Sequence, residues 1–234
     1  AGGLIPVFCV SGETNTGVKR MMDILARYAP CAGDFEKVEG THPDSGDEVL
    51  HGPSINDPLA ARVFKTISEE HIGEMSFFRV YSGKVNAGDD LRNTTRNNSE
   101  KMRQIYFMNG KNRKDASQLI AGDIGAALKL KNTHTGDTLA DPKGPILLPK
   151  INYPTPNMSY AVKPKARGDE EKIANGLAIM HEEDPTFLYR VDSELKQTII
   201  SGQGELHLNI AIKRISERFH VELEKETPKV PYRE

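Results

Sequence analysis

The spacing of apolar and polar positions is clearest over residues 198–219, near the C-terminus. The β-branched run at 198–200 favours a short strand. Gly202 and Gly204 then favour a tight turn, because glycine adopts positive φ at little cost. From Glu205 onward, apolar residues recur at helical spacing, at Leu208, Ala211, Ile212, Ile215 and Phe219. The pattern predicts a strand, a glycine turn and an amphipathic helix.

A second strand-and-helix pattern occupies the first thirty residues. Residues 5–10 are apolar apart from Pro6, which predicts a short buried strand. A loop of small and polar residues follows at 11–17, and Pro30 ends the helix predicted after it. The apolar face of that helix comprises Val18, Met22, Leu25 and Ala29. Residues 30–56 are rich in Pro, Gly, Asp and Ser, which is typical of a linker.

Between residues 57 and 148 the apolar period changes to two, the spacing of half-buried strands. In the first strand, Val63, Lys65 and Ile67 are predicted to share a face. Glycine-containing turns separate this strand from several others of similar length. Short strands at regular spacing, with no helical pattern among them, predict a small closed antiparallel β-barrel.

Strand and helix patterns alternate over residues 149–234. A strand is predicted at 158–162, and a helix begins at 168–172 and ends at Asp184-Pro185. The remaining strands are predicted at 187–191, 197–200 and 221–226, with the amphipathic helix described above before the last of them. This βαββαβ order is that of a ferredoxin-like sandwich. The chain as a whole therefore predicts a multi-domain α+β fold.

Composition restricts the classes of function. The 234 residues carry a net charge of −2, so the chain as a whole is not a polybasic nucleic-acid binder. No apolar run approaches the roughly 18 residues that a membrane-spanning helix needs. Cys9 and Cys31 are the only cysteines and form no C-x-x-C motif, which argues against a disulfide framework and a zinc ribbon. This cysteine usage is typical of a reducing cytoplasm.

Cations are concentrated in one part of the predicted barrel. Residues 92–114 contain seven Lys and Arg side chains and five Asn, against Glu100 alone. Such a surface can contact phosphates and riboses without reading base sequence. The residues predicted to make this contact are Lys101, Arg103, Lys111, Arg113 and Lys114. The alternative is a solvated hairpin whose charges protect an exposed sheet edge, and the sequence does not decide between the two.

No catalytic or metal-ligating residues are predicted. His181 and Glu182 are neighbours on a predicted helix and point apart, so they cannot share a metal as two residues four apart can. Glu205 and His207 are two apart, about 200° apart in projection, which argues against acid–base catalysis by the pair. Glu205 is instead predicted to cap the helix N-terminus, and His207 to make a structural or interdomain hydrogen bond.

Several separated runs resemble the elongation factor G family, the ribosomal translocation GTPases. Ile-Ile-Ser-Gly-Gln-Gly-Glu-Leu-His-Leu at 199–208 is similar to the third domain of that family. The runs similar to its second domain are 77–83, 121–124 and 135–139. Glu74 is a departure, since the family usually has Arg there. Val-Phe-Cys-Val-Ser-Gly at 7–12 resembles the end of the GTPase domain.

The resemblance implies a domain organisation and one nucleotide contact. Residues 1–56 are expected to be the end of the GTPase domain and a linker, 57–148 the β-barrel domain II, and 149–234 the ferredoxin-like domain III. The chain is thus expected to be a piece of a longer protein, cut at both ends. In the family, the loop at Ser11 and Gly12 touches the guanine base through its backbone, although Gly12 replaces the usual Ala.

The resemblance also implies GTP-driven movement of transfer RNA and messenger RNA through the ribosome. GTP and Mg²⁺ are the expected cofactors of the intact protein. The sequence has no G-x-x-x-x-G-K-[ST] phosphate loop, so this chain alone is expected to have no cofactor and no GTPase activity. The expected role of this part is to couple the nucleotide state to ribosome binding and domain movement.

The expected partners are the ribosome, with small-subunit ribosomal RNA contacted through domain II, and the protein's own GTPase and distal domains. A cytoplasmic monomer without membrane contact is expected. Two alternatives remain open. One is a paralogue, such as a ribosomal protection protein or another ribosome-bound GTPase. The other is a stand-alone, non-catalytic RNA-binding module.

Overall fold

The structure is a computed structural model that describes residue 3 and residues 5–34, 37–69 and 73–229. Its N-terminal segment contains the helix α1 (Val18–Tyr28), which confirms the prediction from apolar spacing. The helix ends where the Ala29 N–H donates to the Leu25 carbonyl at 2.9 Å. No residue of α1 is buried, and Met22 and Leu25 are 56% and 44% exposed. The apolar face of this helix therefore has no core to pack on within the described chain.

The prediction of a buried strand at residues 5–10 is wrong. These residues have no strand conformation, and Ile5 and Val7 are 82% and 87% exposed. A strand needs a neighbour that pairs with its backbone N–H and C=O groups, and the described residues provide none for this segment. The loop that follows closes on itself through an antiparallel bridge between Ser11 and Thr16.

The stretch predicted as a linker, residues 30–56, contains regular structure. Its elements are a 3₁₀ turn at Ala32–Asp34 and the strands β1 (Val38–Thr41) and β2 (Glu48–His51). The two strands form an antiparallel hairpin that lies against the following domain. Thr41 and Leu147 exchange backbone hydrogen bonds at 2.9 and 2.7 Å. Val38 is buried in a small apolar cluster with Ala60, Ala140, Ile146 and Leu148.

The predicted antiparallel β-barrel is confirmed. Its strands are β3 (Ala60–Glu69), β4 (Gly73–Ser82), β5 (Lys84–Asn86), β6 (Asp90–Asn93), β7 (Asn98–Lys101), β8 (Ile105–Asn109), β9 (Asn112–Ala116), β10 (Gln118–Ile120), β11 (Ile124–Leu128) and β12 (Thr138–Ala140). Eight of them form one sheet in the order β7-β6-β12-β3-β4-β11-β8-β9, and β5 pairs with β10. A single apolar core takes side chains from both ladders, because the sheet curls around it.

The first barrel strand contains a bulge that changes which side chains face the core. The register with β4 shifts between Val63 and Lys65, so Phe64 has no partner on β4. Thr66 is 1% exposed, whereas Lys65 is exposed. An extra residue in one strand reverses the alternation beyond it. The predicted shared face of Val63, Lys65 and Ile67 is therefore wrong.

The predicted ferredoxin-like sandwich is also confirmed. Its elements are β13 (Met158–Pro164), α2 (Glu170–Glu183), β14 (Leu188–Asp192), β15 (Gln197–Gly202), α3 (Glu205–Phe219) and β16 (Leu223–Glu226). The four strands form an antiparallel sheet in the order β14-β15-β13-β16. Both helices contribute to one apolar core with the sheet, in which Leu177, Leu208 and Ile215 are each at most 2% exposed. The helices therefore cover the same face of the sheet.

Candidate functional site

The five cations predicted to contact RNA lie in two places on the barrel. Lys101 is the last residue of β7, and Arg103 lies in the loop after it. Lys111 lies in the turn between β8 and β9, and Arg113 and Lys114 lie on β9. All five are exposed. They are therefore accessible to a partner, but they belong to two separate surfaces.

Lys101 and Arg103 line a groove with a volume of ≈ 930 Å³. Two further cations, Lys129 and Lys131, line the same groove from the segment after β11. The carboxylate of Asp90 also lines it and lies 3.7 Å from the Lys101 Nζ. The sequence did not predict Lys129 and Lys131, because they lie outside the basic stretch and only the folded chain brings them to it. We call these four cations and their surroundings the basic groove.

The buried carboxylate of Glu100 shapes one wall of the basic groove. Glu100 is 3% exposed, and its two carboxylate oxygens accept the backbone N–H groups of Lys131 and Asn132 at 3.1 and 2.6 Å. The Thr133 hydroxyl donates to the same carboxylate at 3.1 Å. These bonds satisfy the buried charge inside the protein. They also fix the segment that carries Lys131 beside β7, so Glu100 positions one wall of the groove. The carboxylates of Glu100 and Asp90 are the two negative charges among the lining residues, against four cations.

The hairpin of β8 and β9 presents its cations in different directions. Lys114 pairs with Phe107, and Arg113 pairs with Met108. Successive residues of a strand point to opposite faces, so Arg113 and Lys114 do not share a face. None of the hairpin cations lines the basic groove. Because β9 is an edge strand of the sheet, their charges also fit the protection of an exposed edge.

Two other cations of the basic stretch are neutralised within the protein. The Arg92 guanidinium donates two hydrogen bonds to the Asp44 carboxylate, at 2.9 and 2.6 Å. The hydrogen bond from Arg92 lowers the pKa of Asp44, and the same bond raises the pKa of Arg92. The Arg96 Nε donates to the Asp137 carboxylate at 2.7 Å. The charge of the stretch that is available to a partner is therefore smaller than its composition indicates.

The loop predicted to contact a guanine base closes through its own backbone. The Ser11 N–H donates to the Thr16 carbonyl at 3.0 Å, and the Thr16 N–H donates to the Ser11 carbonyl at 3.1 Å. The Ser11 hydroxyl accepts the Thr14 N–H at 3.3 Å. Gly12 is exposed, and no atom lies near the position that a Cβ would occupy. The loop thus has a defined shape, and Gly12 lies at its accessible side.

His207 makes the structural hydrogen bonds that its position predicts. Its Nδ1 accepts the Gln203 N–H at 3.1 Å, so Nε2 carries the proton that is donated to the Asp184 carboxylate at 3.0 Å. The imidazole thereby ties the glycine turn before α3 to the end of α2. Burial acts to raise the pKa of Asp184, but hydrogen bonds from Thr186 and His207 outweigh it and lower that pKa.

Glu205 does not cap α3 through its side chain, contrary to the prediction. The residue before the helix is Gly204, and no side chain accepts a capping hydrogen bond there. The Glu205 carboxylate lies 3.9 Å from the Lys225 Nζ on β16 instead. Its negative charge in the first turn still favours the helix, because that end of the helix dipole is positive.

The barrel and the sandwich meet at the C-terminal end of α2. The Glu182 carboxylate contacts the His134 Nδ1 at 2.6 Å and accepts the Thr135 N–H at 3.1 Å. The Thr135 hydroxyl also donates to the Glu182 carbonyl at 3.2 Å. One residue of the sandwich is therefore held by three hydrogen bonds to the loop before β12. Neither the periodicity nor the composition of the sequence indicates these contacts.

Glu183 makes the second interdomain contact. Its carboxylate accepts the Ser68 N–H of β3 at 2.9 Å and pairs with the Arg218 guanidinium of α3 at 2.9 Å. Arg218 also donates to the Ser68 carbonyl. The Glu183 side chain is 20% exposed, so these bonds are partly shielded from solvent. Together with Glu182, Glu183 makes α2 the connecting element between the two domains.

Clusters of metal-ligating side chains and membrane-crossing helices were both looked for in the described part of the chain. Within the described ranges, no group of three or more His, Cys, Asp and Glu side chains is placed to hold a metal ion. His181 hydrogen-bonds through Nδ1 to the Phe187 carbonyl at 2.7 Å, which gives it a structural role. No helix among the described residues combines the length and apolar character that crossing a membrane requires.

Comparison with known proteins matches both domains. Residues 58–141 match the family model of elongation factor G domain 2, and residues 153–227 match that of elongation factor G, domain III. Elongation factor G of Dehalococcoides mccartyi is 40% identical over 234 residues, which is 100% of this chain and 34% of that protein. A crystal structure of a Thermus thermophilus protein matches with a TM-score of 0.79 at 28% identity, covering 97% of this chain and 32% of the other.

The two family models match consecutive parts of the chain, in the order in which their domain numbers run. The first match falls on the barrel and the second on the sandwich. The chain spans 34% of the length of the curated relative that it matches. The sequence, the fold and both domain matches agree: the chain belongs to the elongation factor G family and carries its second and third domains.

Proposed function

We propose that this chain is the part of a ribosomal translocase that docks on the small ribosomal subunit and couples domain movement to the nucleotide state. The observation that carries the docking proposal is the basic groove, where Lys101, Arg103, Lys129 and Lys131 converge on one accessible concave surface. Membership of the elongation factor G family supports the proposed translocase role, in which the whole protein would move transfer RNA and messenger RNA. We also propose that the protein acts in the cytoplasm as a monomer.

The proposed ligand of the basic groove is the sugar–phosphate backbone of small-subunit ribosomal RNA. Lysine and arginine side chains bind phosphate oxygens without reading base sequence. The side chains that line the groove include no aromatic ring on which a base could stack. Backbone contact is therefore favoured over base recognition. The hairpin cations Lys111, Arg113 and Lys114 would extend this contact beyond the groove.

The proposed coupling runs through α2. Glu182 and Glu183 hold the end of this helix to the barrel through the contacts of His134, Thr135 and Ser68. Because these bonds are directional and partly buried, rotation of the sandwich would carry the barrel with it, or would break them together. The sandwich would thus transmit movement between the distal domains and the barrel that is docked on the RNA.

GTP and Mg²⁺ are proposed as cofactors of the whole protein and not of this chain. The phosphate-binding and magnesium-binding residues would lie in a GTPase domain that carries a phosphate loop. This chain would contribute only the loop at Ser11 and Gly12. Because the Ser11 N–H already donates to Thr16, we propose that the Gly12 N–H is the backbone donor that faces the guanine base.

The docking proposal is tested by sedimentation of the chain with isolated small ribosomal subunits. Reversing Lys101, Arg103, Lys129 and Lys131 to Glu is expected to weaken binding at least about tenfold and to reduce its salt dependence, because fewer counterions are released. Reversal of Lys111, Arg113 and Lys114 is expected to have a smaller effect, because these cations do not share a face.

A matched control separates a local effect from a change in overall charge. Arg20, Arg27, Lys196 and Lys213 are also exposed, and their reversal changes the net charge by the same amount. This control variant is expected to bind nearly as well as the wild type. Equal losses in the control and groove variants, or no loss in the groove variant, would contradict docking through the basic groove.

A further inference from the structure

A second cavity lies on the barrel where the N-terminal segment and the interdomain connection meet it. Its volume is ≈ 420 Å³, which lies within the range of small-molecule sites, about 300 to 1,000 Å³. It shares no lining residue with the basic groove. Its polar lining side chains are Lys37, Glu39, Arg62, Arg79, Tyr81 and Lys150.

Two arginines on adjacent strands line this cavity. Arg62 on β3 and Arg79 on β4 are directly opposed in the antiparallel register. Like charges in that arrangement destabilise a sheet. Within the described ranges, no carboxylate oxygen lies within the 4.0 Å salt-bridge distance of either guanidinium. The pair is therefore held together by the fold at an electrostatic cost.

Each guanidinium also has a buried donor without a partner. The Nε atoms of Arg62 and Arg79 are both inaccessible to solvent and make no hydrogen bond. A buried unsatisfied donor costs about 1–3 kcal/mol, and more when it is charged. Two such donors on opposed residues lining one cavity are unusual in a folded protein. A ligand in the cavity cannot reach these two Nε atoms, because they are inaccessible to solvent, and it would contact the accessible parts of the two half-buried arginine side chains.

The remaining contacts of the two arginines hold the groups in place. Arg62 donates through Nη2 to the Pro149 carbonyl in the interdomain connection. The Arg79 guanidinium lies over the Tyr81 ring, 5.3 Å from its centroid. Neither contact neutralises charge by an anion. The guanidinium groups are thus oriented by the protein while their charges remain available.

The charge of the lining indicates the charge of the ligand. Four cationic side chains, Lys37, Arg62, Arg79 and Lys150, line the cavity against one carboxylate, that of Glu39. The net excess suits a dianion better than a single carboxylate. Guanidinium groups bind phosphate oxygens through paired N–H donors, with a geometry that an ammonium group lacks.

We propose that this cavity binds a small phosphate monoester, whose phosphate oxygens accept hydrogen bonds from Arg62 and Arg79. Lys37 and Lys150 at the exposed rim supply further positive charge, and Tyr81 provides an apolar wall for the organic part of the ligand. The volume of the cavity limits the ligand to a small molecule. The site is separate from the basic groove and does not depend on the docking proposal.

The test is nuclear magnetic resonance of the arginine Nε–Hε groups in the whole 234-residue chain. The probes are ribose 5-phosphate, uridine monophosphate and inorganic phosphate, each added at constant ionic strength. The signals of Arg62 and Arg79 are expected to shift together with each monoester, and saturably. Arg62→Gln and Arg79→Gln are each expected to weaken binding at least about tenfold, since each removes a charged hydrogen bond.

A control pair, Lys196→Gln and Lys213→Gln, removes two exposed cations of the sandwich that line neither cavity, and it is expected to leave the affinity for the monoesters unchanged. Circular dichroism of the two arginine variants checks that they remain folded, and binding measured on the wild type does not depend on that result. Three outcomes would overturn the proposal. These are no shift of the two Hε signals with any monoester, equal weakening by the control pair, or a shift with single-stranded RNA alone.

Discussion

Gly83 shows how a single residue decides the path of the barrel chain. It lies between β4 and β5 with a φ of 71°, in the left-handed region. A Cβ built on it would lie 2.6 Å from the Asp57 carbonyl oxygen and 2.8 Å from the Leu59 backbone. These neighbours are backbone atoms and cannot rotate away as a side chain could. Only glycine fits this turn without displacing the segment before β3.

Gly83→Ala is therefore expected to lower the free energy of unfolding by about 3 kcal/mol or more, from backbone strain and the steric clash together. Gly88→Ala is the matched control, since Gly88 also has positive φ, at 96°, but has open space around it. Its expected cost is about 1–2 kcal/mol, from strain alone. Urea denaturation of both variants measures the difference, and equal costs would contradict the role of the clash.

The pKa of Asp184 makes a prediction about pH. Because its folded-state pKa lies below the ordinary value of 3.8, the ionised form stabilises the fold at neutral pH. That contribution is lost as the pH falls through the folded-state pKa. In Asp184→Asn, the amide oxygen can still accept from Thr186, but the NH₂ group then faces the His207 Nε2–H. Two donors would then oppose each other.

Asp184→Asn is expected to cost about 1–3 kcal/mol of unfolding free energy at neutral pH. The difference from the wild type is expected to shrink below pH 3.8, where protonation removes the same charge from the wild type. Chemical denaturation across this range checks the sign. A difference that stays constant with pH would show that the charge of Asp184 does not stabilise the fold.

Some individual positions could not be predicted from local sequence. The bulge at Phe64 depends on the register with β4, and no turn residue marks it in the sequence. Lys129 and Lys131 join Lys101 and Arg103 only because the segment after β11 lies beside β7. The cations at 101 and 103 were predictable because they lie in one short basic stretch.

At the scale of whole elements, apolar periodicity predicted the helices and strands that bury one face. The helices α2 and α3 and the strands of the sandwich each pack an apolar face on one core, so their spacing is visible in the sequence. The hairpin at 38–51 was missed because its core contact is with Ile146 and Leu148, about a hundred residues later. The strand predicted at residues 5–10 is wrong for the opposite reason. Its residues are apolar, but an apolar run without a neighbouring strand to pair with forms no strand.

The prediction at the scale of elements concerns the contacts made by the C-terminal end of α2. Replacing Glu182 and Glu183 with Ala removes the acceptors of the Ser68 and Thr135 N–H groups and the partners of His134 and Arg218. The barrel and sandwich are then expected to unfold independently, because each retains its own core while the contacts between them are lost.

Differential scanning calorimetry measures this separation as a wider interval between the transitions of the two domains. The control is Glu171→Ala with Glu217→Ala, which removes two exposed carboxylates, one from α2 and one from α3, away from the interface. If the Glu182 and Glu183 variant showed the same transitions as the wild type, the contacts of α2 would not couple the domains.

For the molecule as a whole, one barrel and one sandwich are joined by directional contacts, with two cationic surfaces on the barrel. The order of these domains is that of the elongation factor G family, and it was already visible in the order of strand and helix patterns. The mutual arrangement of the domains was not, because it rests on side chains from four separate segments. In the proposed function, the barrel docks on the ribosomal RNA and the sandwich transmits movement.

The most direct test of this account is hydroxyl-radical cleavage from an iron chelate attached within the basic groove. Cys9 and Cys31, both exposed, are first replaced by Ser, and Ser99 of the groove is then replaced by Cys to carry the chelate. With small ribosomal subunits, the account predicts strand cleavage of the ribosomal RNA from this position, which disappears when Lys101, Arg103, Lys129 and Lys131 are reversed to Glu. Absence of cleavage, or cleavage that survives the reversal, would contradict docking through the basic groove.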